Sequence, residues 1–198
     1  MNLLDTSTDN SLEEKLADCV LWNDKNSNSL TGVPMGTVAG AQQILAGLKE
    51  AGIDLVASVP DINMLQLISL LYEDKTITHV PVGREEEGIG VCSGAHLGGK
   101  KTAILMQNGG LLNSCNALTT TALQFGMPIL LLIYYAGDIG DNAFHMVGLV
   151  TEPVLQGLGI KYVVMRDPLK VKQEIAGAVT LANSSKRPVA LLLTRAVL

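Results

Sequence analysis

Pro128-Ile129-Leu130-Leu131-Leu132-Ile133 is the stretch that decides the fold class. It is an unbroken apolar run without the in–out alternation of a half-solvated strand, so a strand built from it is buried on both faces. The wider run, Met127 to Ala136, is far too short to span a bilayer. Val189-Ala190-Leu191-Leu192-Leu193 repeats the pattern near the C-terminus. Such strands belong to parallel sheets sandwiched between helices. The rest of the chain alternates to match. A helix fits Val38 to Ala51, then a strand Leu55 to Val59, with Pro60-Asp61 opening a helix from Ile62 to Tyr72. Ile77 to Val82 reads as a strand, and a helix ending at Gly98-Gly99 follows it. Thr102 to Gln107 is a strand, Leu111 to Phe125 a helix and Ile129 to Tyr135 a strand. The series closes with a helix near Pro153 to Leu158, a strand Lys161 to Met165, a helix Leu169 to Asn183 and a strand Val189 to Thr194. This order predicts an α/β fold: a doubly wound, mostly parallel sheet with helices on both faces and right-handed crossovers.

Ligands of such sheets sit beyond the carboxyl ends of the strands. That rule nominates four loops: Pro60 to Asn63, Gly83 to Glu87, Gln107 to Gly110, and Ala136 to His145.

The overall composition excludes several classes of function. A chain of 198 residues suits one domain with a real core. Its 47% hydrophobic but 4% aromatic content means a core of Leu, Ile, Val, Ala and Met. Net charge is −5, and no basic cluster exceeds Lys100-Lys101 or Lys186-Arg187. A nucleic-acid face needs more concentrated positive charge than that. Cys19, Cys92 and Cys115 are odd in number and widely spaced, which fits free thiols in a reducing, cytoplasmic setting. The N-terminus lacks the basic and apolar regions of a signal peptide. Residues 1–36 read as a polar extension, in which Ser11-Leu12-Glu13-Glu14 could open a short helix carrying Leu12, Leu16, Val20 and Trp22. A disordered tail is the equal alternative. The domain proper is expected over 37–198.

Glu85-Glu86-Glu87 stands at a strand–helix junction. Carboxylates suit the first turn of a helix, where free N–H groups and the dipole favour negative charge. A solvated acidic cap would explain all three. The apolar positions Ile89, Cys92 and Ala95 nevertheless define one helical face, which continues back to Glu85 and Glu86 while Glu87 drifts off it. A carboxylate entering an apolar face needs a partner, so this junction reads as a site. Gly88, Gly90, Ser93 and Gly94 would let another chain or a flat ligand approach closely.

The stretches Arg84-Glu85-Glu86-Glu87-Gly88, Ala95 to Lys101 and Ile104-Leu105-Met106-Gln107-Asn108-Gly109-Gly110 through Leu118, taken in order, carry a resemblance. The chain from about Thr37 to Thr194 resembles the sulfopyruvate decarboxylase alpha-subunit and phosphonopyruvate decarboxylase family of thiamine-diphosphate enzymes, over their pyrimidine-binding (PYR) domain. The resemblance implies a PYR-domain subunit of a split 2-keto acid decarboxylase. One glutamate would hydrogen-bond N1′ of the cofactor's pyrimidine, and the cofactor would carry the hard chemistry. Arg84 two residues before, Gly88 two after and His96 ten after favour Glu86, with Glu85 the alternative register. Pro60, Gln107, Asn108 and Gly109 are the further cofactor contacts implied, Asn108 being equally suited to cap the helix after it. Asp61, Asn63, Arg84 and Phe144 are the substrate-side candidates, Asp61 being equally explained as a helix cap. His145 matches a family histidine and could serve acid–base chemistry, although Phe144 stands where a Gln is common.

No metal ligands are expected in this chain. Gly137-Asp138-Ile139-Gly140-Asp141-Asn142 only echoes the Gly-Asp-Gly…Asn pattern of the pyrophosphate-binding domain. Mg²⁺ and the diphosphate are therefore expected on a partner subunit from a separate gene, in an α2β2 or larger assembly, with neither membrane nor nucleic acid involved. A carboligase subunit and a non-catalytic flavodoxin-like module are the alternatives. Phe144 and the few site-side cations imply a less charged 2-keto acid, such as pyruvate, unless the partner adds basic residues.

Overall fold

A computed structural model describes residues 36–198 apart from Asn142. The helix around Leu12 to Trp22 and the thiol of Cys19 lie outside the described residues. Helix α1 (Val38–Glu50) is capped by the Thr37 hydroxyl, which accepts from Gly40 N. Strand β1 (Leu55–Ser58) is followed by a 3₁₀ turn (Ile62–Met64) and helix α2 (Leu65–Glu73). Then come β2 (Thr78–Pro81), α3 (Glu85–Leu97) and β3 (Thr102–Gln107). Helix α4 (Asn108–Asn113) follows without a loop, and β4 (Leu130–Tyr134) lies beyond it. The chain closes with α5 (His145–Gly157), β5 (Lys161–Met165), α6 (Val171–Ser185) and β6 (Val189–Leu193).

The six strands form one sheet in the order β2-β1-β3-β4-β6-β5, and every pairing is parallel. The doubly wound expectation is met. All residues of β4 and β6 are buried, as their continuous apolar runs require. Ile44, Leu48 and Leu71 pack on one face of the sheet, and Ile89, Cys92 and Leu118 on the other. The chain leaves β1 toward β2 and then returns to place β3 on the other side of β1. The carboxyl ends of β1 and β3 therefore flank the topological switch point, where ligands of such sheets bind.

Three elements depart from the sequence expectation. The continuous helix Leu111 to Phe125 is broken into α4, a short turn (Cys115–Ala117) and a π-helical stretch (Leu118–Leu123). Thr119, Thr120 and Thr121 each donate a hydroxyl to the carbonyl four residues back. Such back-bonding competes with the helical ladder and bends it. The second departure is α5, which begins at His145, well before Pro153. Pro153 sits inside that helix, where the sequence suggested it would start one. Last, the helix expected from Ile62 begins as the 3₁₀ turn Ile62–Met64, with Asp61 as its cap.

Candidate active site

A cleft of about 290 Å³ opens at the switch point. Val59, Pro60 and Asp61 line it from the turn after β1, and Glu85 from the first turn of α3. Gln107, Gly109, Gly110 and Asn113 complete it from the end of β3 and from α4. Two polar links fix its floor. Asp61 Oδ1 accepts from Asn63 N at 2.7 Å and from Asn63 Nδ2 at 3.1 Å, which makes Asp61 a helix cap. Asp61 Oδ2 accepts from Gln107 Nε2 at 3.0 Å. One carboxylate thus caps its own turn and holds the β3 terminus.

The three glutamates divide. Glu87 turns back, its Oε2 accepting from Gly83 N at 3.1 Å and Arg84 N at 3.2 Å; it is the cap of α3. Glu86 receives Arg84 on a single oxygen, Oε1, from Nε at 3.0 Å and Nη2 at 2.8 Å. Its Oε2 is buried and has no hydrogen-bond partner. The Glu86 backbone N–H holds this carboxyl below its usual pKa against the opposing effect of burial, and Arg84 adds to the lowering. Glu85 projects into the cleft across Gly110, where any Cβ would overlap its Cγ, Cδ and Oε1. The helix face that bears them behaves as expected, with Ile89 and Cys92 fully buried. Burial pushes the Cys92 thiol up to about 12, so it is a core group and not a nucleophile.

Other sequence candidates lie elsewhere. Asn108 does not line the cleft and does not cap α4. It is the first helical residue, fully buried, and its Nδ2 donates to Ala136 O at 2.7 Å and Thr151 Oγ1 at 2.9 Å. It braces the end of β4 and α5 against β3. Arg84 is the solvent-facing partner of Glu86, and neither residue is among those that line the cleft; the glutamate that does is Glu85. Phe144 adopts a left-handed conformation (φ 60°), is 57% exposed and also stands outside the cleft. His145 is exposed at the first position of α5 and does not line it either. The Gly137–Asp141 loop is pinned in place: Asp138 takes both Arg166 Nη atoms at 2.7 and 2.8 Å. Asp141 pairs with Arg195 and accepts from Gly137 N at 2.8 Å. Val59 and Asn113 were missed in the sequence, whereas Gly110 lay within the nominated loop Gln107 to Gly110. Asn113 could have been found, because it follows Gly109 by four residues and so shares its helical face.

Two kinds of comparison bear on this geometry. Residues 38–147 match the family model described as thiamine pyrophosphate enzyme, N-terminal TPP binding domain. The chain belongs to this family. The matched span takes in the whole switch-point cleft of this thiamine-diphosphate enzyme chain. It is 39% identical over 155 residues to the sulfopyruvate decarboxylase subunit alpha of Methanococcus maripaludis, covering 77% of this chain and 93% of that one. It is 38% identical over 158 residues to the subunit of the same name from Methanothermobacter thermautotrophicus, covering 79% and 96%. Among solved structures, a 2-oxoglutarate:ferredoxin oxidoreductase from Magnetococcus marinus superposes with a TM-score of 0.63 at 15% identity, over 97% of this chain and 40% of that one. That likeness speaks for the fold. The chain is a decarboxylase-type subunit of the family, and the name "subunit alpha" in its relatives implies a second subunit beside them. No described helix is long and apolar enough to cross a membrane.

Proposed function

We propose that this chain is the PYR-domain subunit of a split thiamine-diphosphate decarboxylase acting on sulfopyruvate or a closely similar anionic 2-keto acid, with residues 37–198 forming that domain. The observation that carries the reading is the buried, unpartnered Oε2 of Glu86 at the start of α3. A buried carboxylate oxygen without a donor is costly, and the protonated N1′ of a bound aminopyrimidine is the kind of donor it lacks. The residues therefore fit the cofactor. Pro60, Gln107 and Gly109 of the cleft would lie against it. Thiamine diphosphate, when bound, supplies the electron sink that 2-keto acid decarboxylation requires.

Each residue of the chain has a separate task in this reading. Glu86 Oε2 holds the proton shared with the pyrimidine nitrogen. The Glu86 backbone N–H, with Arg84 on Oε1, keeps the carboxylate ionised, and Arg84 orients it. Asp61 fixes Gln107 so that its carbonyl oxygen is the end left to face the ligand. Asn113 adds an amide to the same wall. Mg²⁺ and the diphosphate belong on a pyrophosphate-binding partner, in an α2β2 or larger cytoplasmic assembly. Phe144 and His145 do not line the cleft, so a less charged substrate is supported by the scarcity of site-side cations alone. With Asp61 and Glu85 in its walls, this chain leaves the substrate's anionic groups to cations of the partner.

The test is co-expression with the partner subunit, followed by CO2 release from sulfopyruvate and pyruvate with and without thiamine diphosphate. Cofactor-dependent release, with kcat/KM at least tenfold higher for sulfopyruvate, is expected. Release that needs no cofactor, or full activity from this chain alone, would overturn the reading.

A further inference from the structure

We propose that Glu85 is a catalytic acid that delivers the product's proton, a role that rests on the decarboxylase reading above. Decarboxylation takes up one proton for each CO2 lost: R–CO–COO⁻ with Glu85–COOH gives R–CHO, CO2 and Glu85–COO⁻, and solvent then reprotonates the glutamate. The carbon–carboxylate bond breaks, and a new carbon–hydrogen bond forms on the former carbonyl carbon. A carboxyl in the cleft can carry that proton.

The described residues leave one unengaged candidate. Asp61 is held as an acceptor at both oxygens, by Asn63 on one and Gln107 on the other. Glu86 is committed to Arg84 through Oε1. Its remaining oxygen is assigned above to the pyrimidine. Glu87 caps α3. His145 stands exposed, outside the cleft. Glu85 alone lines the cleft with a carboxyl that makes no hydrogen bond or ion pair among the described residues. A carboxyl that is not held by fixed donors can take up and release a proton without breaking a structural bond.

The opposite wall shows that its place is reserved. Gly110 sits directly beneath the Glu85 side chain, and a Cβ there would overlap three of its atoms. Gly110 is not among the positive-φ glycines, so backbone conformation does not demand a glycine. It lies within α4, where glycine is a poor helix former. The glycine serves to make room for the Glu85 carboxyl.

The test uses the assembled complex with its partner. Glu85→Gln should bind thiamine diphosphate within twofold of the unsubstituted complex. It should exchange the cofactor's C2 proton for deuterium at an unchanged rate, and give a full first-turnover burst of CO2. Aldehyde release should then slow about 10²-fold. Gly110→Ala, which keeps Glu85 but displaces its carboxyl, should reproduce the slow aldehyde release. If Glu85→Gln releases aldehyde at the normal rate, the assignment is wrong. If it instead loses C2 exchange, Glu85 is the pyrimidine partner and both the acid role and the register chosen for Glu86 fall. An unsubstituted complex that exchanges C2 but never releases CO2 overturns the decarboxylase reading and this proposal with it.

Discussion

Gln107 Nε2 donates to Asp61 Oδ2 at 3.0 Å, tying the end of β3 to the turn after β1 across the switch point. The same carboxylate caps the 3₁₀ turn through Asn63 N. Asp61→Asn separates these duties. Asparagine caps as well as aspartate, so the thermal midpoint should move by no more than about 2 °C. The amide nitrogen would meet Gln107 donor to donor, and that side chain would turn over. Thiamine diphosphate affinity of the complex, measured by calorimetry, should fall roughly tenfold, equivalent to about 1.4 kcal/mol.

Glu86→Gln should slow C2 proton exchange about 10²–10⁴-fold, since an amide cannot share the pyrimidine proton. Arg84→Met gives a subtler result. The guanidinium helps keep the Glu86 carboxyl below its usual pKa, so exchange that needs the ionised form persists toward acid pH. Without Arg84 the acid limb of the exchange profile should shift to higher pH. An unmoved limb would show that the ionisation of Glu86 does not depend on Arg84.

Asn108→Ala should act on stability and not on cofactor contact. It strands the Ala136 carbonyl in a fully buried place and takes one donor from the Thr151 hydroxyl, which keeps its bond to Val147 O. The cost expected in urea denaturation is about 1–3 kcal/mol. A variant that folds normally yet binds the cofactor poorly would show that Asn108 reaches the ligand.

Stability should fall between pH 7 and 5 because of His79. Its Nε2 lies 2.8 Å from Ser58 Oγ, its Nδ1 is buried without a partner, and Tyr72 packs edge-on at 4.9 Å. Burial lowers its pKa below the ordinary value of 6.5. The unfolded chain therefore binds the proton more readily than the folded one, and stability is lost as pH drops through 6.5 toward the folded value. Denaturation curves of the native protein and His79→Gln at pH 7.5 and 5 should converge at the lower pH. Parallel curves would exclude this histidine as the source.

Much of the fold was legible because buried parallel strands carry unbroken apolar runs, and Thr102–Gln107 and Lys161–Met165 fall where periodicity put them. The break after α4 was not legible. Three adjacent threonine hydroxyls bond backbone carbonyls in the π-helical stretch beyond it, a choice composition does not record. The early start of α5 was hidden by Pro153, which normally marks a helix start and here sits within one. In the site, the rule about strand ends named three loops that line the cleft and a fourth, Ala136 to His145, that does not. Which way Asn108 points was beyond it, because a single residue of register at the β3–α4 junction separates Gln107 in the cleft from Asn108 in the core.

Glu85, Glu86 and Glu87 are chemically identical neighbours with three different surroundings, and only helical pitch tells them apart. Each step along α3 turns a side chain by about 100°, so consecutive carboxylates address the cleft, Arg84 and the helix cap in turn. The short link Val82–Arg84 therefore acts as an indexing device. Removing or adding one residue there would leave the composition and charge of the segment almost untouched while permuting its tenants, handing the cleft to a different glutamate.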